Sequence, residues 1–296
     1  NIMKQFLFFI LFLFIVSCEE SYQLNSNSIL VVEGWIENEG FPVVMLSQTV
    51  SINRENLSVD SLSDYLIRWA TVTVSDGQKT VYLTGKYDDS YFPPYIYTTG
   101  QMRGETGKNY TLKVDYKEFH AEAVTTILQP TDFDVSVKRC NGSDTLYQVT
   151  IGFMNKYEEN NYYKIFTRVG TQKKQYLSAY LGTIETTIAK DSVSVPAYRG
   201  HSFEPSLYNP YFSVKDTVSV KFAHINETSF HIWDGFDKLL TLSNNMFFPA
   251  TQNIHSNIRG GLGYWCGYGV TTKHLIIADY FVPDHIIPFS PVHAIY

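Results

Sequence analysis

Between Ser28 and about Leu128, short runs of β-branched and aromatic residues alternate with polar ones and are separated by tight-turn residues. A period of two is what a half-buried strand requires, because successive side chains point to opposite faces of a sheet. Ile29–Ile36 opens the series, and Phe41–Ser47 follows after a turn at Glu39-Gly40. Ala70–Ser75 and Lys79–Thr84 flank Asp76-Gly77. That arrangement is the strongest hairpin signal in the chain, since its turn needs a positive φ that glycine adopts without strain. Tyr95–Thr98, Asn109–Asp115 and Phe119–Thr125 complete a set of about seven short strands, which predicts an immunoglobulin-like β-sandwich over residues 28–128. Asn53–Leu66 is polar and reads as a loop.

Gln129-Pro130-Thr131 marks a boundary, after which strand patterns resume at Phe133–Lys138, Tyr147–Phe153, Tyr162–Val169, Thr217–Phe222 and His274–Ala278. Between Thr228 and Leu242 the period lengthens. Phe230, Trp233, Phe236 and Leu240 recur at three-to-four spacing behind a polar cap at Asn226 or Thr228, which predicts an amphipathic helix containing Gly235. A stretch rich in Tyr, Ser and Pro from Gln172 to Lys215 carries no clear pattern. The expected fold is therefore mainly β: an N-terminal immunoglobulin-like sandwich followed by a second, larger antiparallel β domain (129–296) with one short amphipathic helix.

Composition narrows the function by exclusion. With 44% hydrophobic residues the chain buries a core easily, and its net charge of −6 argues against a nucleic-acid partner, which calls for a basic face. None of the eight histidines has zinc-site spacing, no GxSxG elbow occurs, and Gly260-Gly261-Leu262-Gly263 is followed by an aromatic, β-like segment instead of the helix a phosphate loop requires. No catalytic residue, metal or cofactor is assigned. The glycine cluster reads as backbone that turns tightly or passes close to a neighbouring strand, with Tyr264, Trp265 and Tyr268 packing around it. Aromatic clusters on Pro-flanked loops (Tyr91, Phe92, Tyr95 and Tyr97; Tyr198, Tyr208, Tyr211 and Phe212) suit a protein interface or, alternatively, a glycan. The candidate contact surface comprises Tyr208, Tyr211, Phe212, Tyr264 and Trp265.

The first residues read as an address. Lys4 precedes an apolar run from Phe6 to Val16, and those eleven residues are too few to cross a bilayer core, which takes about 20 in a helix. Ile15-Val16-Ser17-Cys18 resembles the bacterial lipobox, so residues 1–17 are expected to be a signal peptide, Cys18 the lipid-attachment site and 18–27 a tether. Glu19-Glu20 resembles the acidic signal that exports Bacteroidetes lipoproteins to the outer face of the outer membrane. With Cys18 acylated, Cys140 and Cys266 remain as a candidate disulfide pair, and the sequence leaves open whether they meet.

Leu30–Ile36 behind that leash, Ala70–Gly77, Asn161–Ile165 and Ile258–Tyr268 together resemble, in order, a Bacteroidetes lipoprotein family catalogued as domain of unknown function 4249. The resemblance implies an outer-membrane, lipid-anchored protein of the kind often encoded beside TonB-dependent receptors, and it carries no activity. The expected function is a non-enzymatic, surface-exposed accessory subunit of a TonB-dependent outer-membrane transport complex, bound to a β-barrel. The alternatives are a stand-alone glycan-binding or adhesive lipoprotein with a glycan or peptide ligand, or a structural part of an outer-membrane protein assembly complex.

Overall fold

The computed structural model describes residues 28–49, 64–155, 160–187, 192–200, 209–243 and 255–278. The expected signal peptide, the tether with Cys18, Glu19 and Glu20, and the aromatic candidate Tyr208 lie outside the described residues.

The chain is mainly β. The first half supplies seven strands: β1 (Leu30–Glu37), β2 (Val43–Gln48), β3 (Thr71–Ser75), β4 (Thr80–Tyr87), β5 (Tyr95–Thr98), β6 (Asn109–Tyr116) and β7 (Phe119–Thr126). In β1 the alternation is strict. Leu30, Val32, Gly34 and Ile36 face inward, while Val31, Glu33, Trp35 and Glu37 face outward. Inward-facing Val32, Val44, Leu46, Val72, Val74, Tyr110 and Leu112 meet in one core. The second half adds β8 (Asp134–Arg139), β9 (Leu146–Met154), β10 (Asn161–Val169), β11 (Leu177–Thr186), β12 (Ser192–Ala197), β13 (Phe212–Ser213), β14 (Thr217–Ile225), α1 (Glu227–Ser243) and β15 (Leu262–Ile276).

Eleven of these strands form one continuous sheet in the order β11-β10-β14-β15-β1-β2-β5-β4-β3-β6-β7. The joint is β15. Its first part runs parallel to β1, from Val31↔Leu262 to Glu37↔Tyr268, and its second part pairs antiparallel with β14, from His224↔Gly269 to Thr217↔Ile276. The first half is thus not a self-contained sandwich, since β1 takes its neighbour from the far end of the sequence, and the immunoglobulin-like detail is not borne out. The sheet also curls until β7 reaches β15. Glu122 and Arg259 exchange backbone hydrogen bonds of 2.9 Å, and the Gly267 N–H donates to Thr125 Oγ1 at 2.7 Å.

Glycine makes that curl sterically feasible. At Gly263 φ is +107°, and a Cβ there would sit 1.9 Å from the Val32 carbonyl oxygen; at Gly267 it would sit 2.4 Å from that of Thr126. Any side chain at either site would displace a neighbouring strand.

In the second half a four-stranded sheet, β12-β9-β13 with β8 beside β9, packs on β10, β14 and the end of β15. Tyr147, Val149, Ile151 and Phe153 from one layer meet Tyr163, Ile165, Val218 and Phe222 from the other. Helix α1 lies on the opposite face, placing Ile232 and Trp233 on Phe166, Ala223, Tyr264, Cys266 and Tyr268. Asn226 is its cap, with Oδ1 accepting the Ser229 N–H at 2.8 Å. One buried pair fastens the helix. Lys164 of β10 is wholly buried, with Nζ 3.0 and 3.1 Å from the Asp237 carboxylate oxygens and 2.8 Å from Thr183 Oγ1.

Candidate ligand cleft

The outward row of β1 does not end in open solvent. Because β15 runs beside β1 in parallel register, Glu33 stands next to Tyr264 and Glu37 next to Tyr268. The same face continues onto Lys221 of β14 and onto Phe166 and Arg168 of β10. These side chains floor a cleft of about 1430 Å³ that draws its lining from both halves of the chain.

Two loops meet across the floor. Residues 88–92, between β4 and β5, fold back so that Tyr91 lies 6.4 Å, ring to ring, from Trp35. Residues 172–176, between β10 and β11, come from the other side. The Lys174 N–H donates to the Ser90 carbonyl at 3.2 Å, the Phe92 N–H to Gln175 Oε1 at 2.8 Å, and Gln175 Nε2 back to the Phe92 carbonyl at 3.2 Å. Lys174 Nζ is 3.0 Å from the Asp88 carboxylate. The Ser90 hydroxyl foremost, with Lys174 behind it, holds the Asp88 carboxyl well below the usual range.

The charged groups in the cleft are unevenly matched. Lys221 pairs with the Glu37 carboxylate and stands 4.1 Å above the Tyr176 ring. The Arg168 guanidinium lies 4.6 Å from the same ring centre. Its Nη1 donates to the Lys173 carbonyl at 3.2 Å and its Nη2 to Ser219 Oγ at 3.4 Å, while the buried Nε–H has no acceptor. Among the described residues no carboxylate lies within ion-pair distance of Arg168. Glu33 likewise has no ion pair or hydrogen bond, and burial pushes its carboxyl above the ordinary value. Burial also raises Tyr91 and Tyr176, and it lowers His274, whose Nδ1 is 2.8 Å from Ser219 Oγ. Among the described residues the cleft therefore presents aromatic faces together with the Arg168 guanidinium, the Lys173 ammonium and the Glu33 carboxyl, none of which has an ion-pair partner.

The described residues of the contact surface proposed from sequence, Tyr211, Phe212, Tyr264 and Trp265, do not come together. Trp265 is fully buried in the first core, its Nε1 donating to the Tyr110 carbonyl at 2.9 Å, and Phe212 is fully buried in the second. Both sit on strands whose neighbours cover them, so neither reaches a partner. Tyr264 is buried under α1 with only an edge toward the cleft, and Tyr211 packs on Tyr198 with ring centres 6.2 Å apart. Of the first aromatic cluster, Tyr91 and Phe92 line the cleft, whereas Tyr97 is buried, donating its hydroxyl proton to the Ile67 carbonyl. Cys140 and Cys266, the candidate disulfide, are both free. Cys140 lies in the β8–β9 turn of the four-stranded sheet, while Cys266 lies in the large sheet under α1, where burial raises its thiol to about 11.

Glu33, Arg168, Tyr176 and Lys221 escaped the sequence reading. A signal was present for Glu33: with Trp35 and Glu37 it forms an acidic–aromatic–acidic row on one side of an otherwise apolar strand. Among the described residues no group of three or more His, Cys, Asp or Glu side chains is placed to hold a metal, and no helix is long and apolar enough to cross a membrane. Residues 17–274 match the protein-family profile described as domain of unknown function (DUF4249). No curated protein matches the chain.

Proposed function

This chain belongs to the family described as domain of unknown function DUF4249, and from that premise we propose that it is a non-enzymatic, lipid-anchored component of an outer-membrane uptake complex. In this reading Cys18 carries the anchor, Glu19-Glu20 directs the protein to the cell exterior, and a TonB-dependent β-barrel receptor is the partner. The observation that carries the reading is the cleft. Its volume exceeds that of the usual drug-sized site, roughly 300–1,000 Å³, and its wall, which sets aromatic faces among an equal share of charged side chains, suits capture of a polar ligand.

The experiment is purification of the tagged protein from native membranes in mild detergent, with mass spectrometry of what stays bound. One stoichiometric TonB-dependent receptor is the expected result. A barrel-insertion machine in its place would favour the assembly role, and recovery of the protein alone would overturn the subunit reading. The aromatic lining gives a second reading some support, a stand-alone glycan-binding lipoprotein, because flat rings stack on sugar faces. It predicts saturable polysaccharide binding by the isolated protein.

A further inference from the structure

The charge lining the cleft runs against that of the chain. The sequence as a whole is acidic, with 29 Asp and Glu against 23 Lys and Arg. In the cleft the balance is reversed: six cationic side chains line it, Lys86, Arg168, Lys173, Lys174, Arg199 and Lys221, against three carboxyl groups. Those carboxyls are already engaged or weakened as anions. Asp88 is shared by Lys86 at 3.5 Å and Lys174 at 3.0 Å, and Glu37 is taken by Lys221. Burial of Glu33 disfavours its charged form.

The excess gathers on the wall that β10 and the 172–176 loop supply. Arg168 Nη1 donates to the Lys173 carbonyl, and the Tyr176 ring faces both Arg168 and Lys221. The Gly200 N–H donates to Thr167 Oγ1 at 2.7 Å, which brings the chain at Arg199 beside the same end of β10. Among the described residues, the two terminal nitrogens of Arg168 make one bond each, to Lys173 and Ser219, so each keeps a second N–H. Lys173 Nζ meets only the Asp89 carbonyl, 2.5 Å away. We propose that this wall receives an anionic ligand, one whose carboxylate, sulfate or phosphate groups meet Arg168 and Lys173. This rests on the reading of the cleft as a ligand site, but not on the identity of the barrel.

Like charges held against low-dielectric walls repel one another and focus a positive field, which steers an anion inward and which the anion relieves. A neutral ligand can accept the same hydrogen bonds but leaves that excess charge in place. Attraction to the protein as a whole does not imitate the effect, because a net charge of −6 repels an anion elsewhere.

The test is calorimetric titration of the full chain in detergent, at low salt, with two matched pairs of probes. One pair is tetragalacturonate and its neutral methyl ester; the other is tetraglutamate and tetraglutamine. The expected result is that the charged member of at least one pair binds about tenfold more tightly than its neutral twin. Which pair responds tells whether the anionic groups arrive on a sugar or on a peptide. Arg168→Met should lower that affinity about tenfold and Lys173→Met, which removes an exposed ammonium, about threefold. Lys113→Met, on the exposed side of β6 and outside the cleft, should leave it unchanged. Equal affinity within both pairs overturns the anionic assignment and leaves the cleft a ligand site. A charge preference undiminished in Lys173→Met and Arg168→Met overturns the placement. The comparison within pairs uses the unaltered protein, so it stands even where a variant fails to fold. Binding of none of the four probes overturns the assignment, while the barrel partner is decided separately by what copurifies.

Discussion

Replacing Asp237 with alanine removes the counter-charge of a lysine that has no access to water. Lys164 Nζ would keep only the Thr183 hydroxyl, 2.8 Å away, and would lose both carboxylate contacts at 3.0 and 3.1 Å. Breaking one side of a buried pair costs about 3–5 kcal/mol, because the remaining charge stays desolvated. Even with Asp237 present, burial lowers Lys164 from 10.5 to about 8, and that difference corresponds to about 3 kcal/mol against the charged form. The sign of the pH dependence follows. Between pH 8 and 10.5 the unfolded lysine keeps a proton that the folded one releases, so this group's contribution to stability rises with pH across that window. Urea unfolding followed by tryptophan fluorescence at pH 7 and 9 measures both effects. Asp237→Ala should lose about 3–5 kcal/mol at pH 7. The apolar double replacement Lys164→Met with Asp237→Leu should stay within about 1 kcal/mol of the parent and lack the upward contribution toward pH 9. An Asp237→Ala protein as stable as the parent would refute the reasoning, as would a pH response unchanged by removing Lys164.

Two glycines with positive φ should respond differently to alanine. Gly77→Ala meets open space at a φ of +88° and should cost about 1 kcal/mol, whereas Gly263→Ala drives a methyl group into the Val32 carbonyl and should cost at least about 3 kcal/mol by thermal unfolding. Trp265→Ala empties a fully buried site and removes the Nε1 hydrogen bond to the Tyr110 carbonyl; a loss of about 3–5 kcal/mol is expected in denaturant titration, and a loss below about 1 kcal/mol would contradict the burial. Under native conditions at pH 8, iodoacetamide should label half-exposed Cys140 well before Cys266, whose thiol is buried and raised to about 11. Peptide mapping that finds Cys266 labelled first, or the two cysteines bridged, would contradict the arrangement.

Local patterns were legible in the sequence and long-range registers were not. Asp76-Gly77 announced the β3–β4 hairpin, although Ser75 pairs with Thr80 across a four-residue loop, in which the Asp76 carboxylate accepts the Gln78 and Lys79 N–H groups, and not with Gln78 as a two-residue turn would require. The stripe Phe230, Trp233, Phe236 announced α1, and Asn226 is one of the two caps foreseen. Gly260, Gly261 and Gly263 make the close backbone approaches read for that cluster, yet the frequency of glycine from 260 to 269 hid that Leu262–Ile276 is one strand of fifteen residues. Glycine lowers strand propensity, and only the neighbouring carbonyls, set by tertiary structure, show why it is needed there. The cleft was hidden for a related reason. Glu33, Lys221 and Arg168 are remote in sequence and share a face only after β15 has joined β1 to β14, a pairing that no local pattern encodes.

The placement of β15 also dictates an order of events during synthesis. The segment that completes the first core, through Trp265, and that pairs with Val31–Glu37 is made more than two hundred residues after its partner. Until it arrives, β1 keeps an unpaired edge and the first core lacks its largest side chain, so the amino-terminal half cannot reach its final state while the chain is still emerging. Assembly waits on contacts of very long sequence separation, which are slow to form and leave an exposed strand edge in the interval. A chain handed across a membrane unfolded would pass through that interval on the far side, and any factor that shields a bare strand edge there would find β1 its natural client.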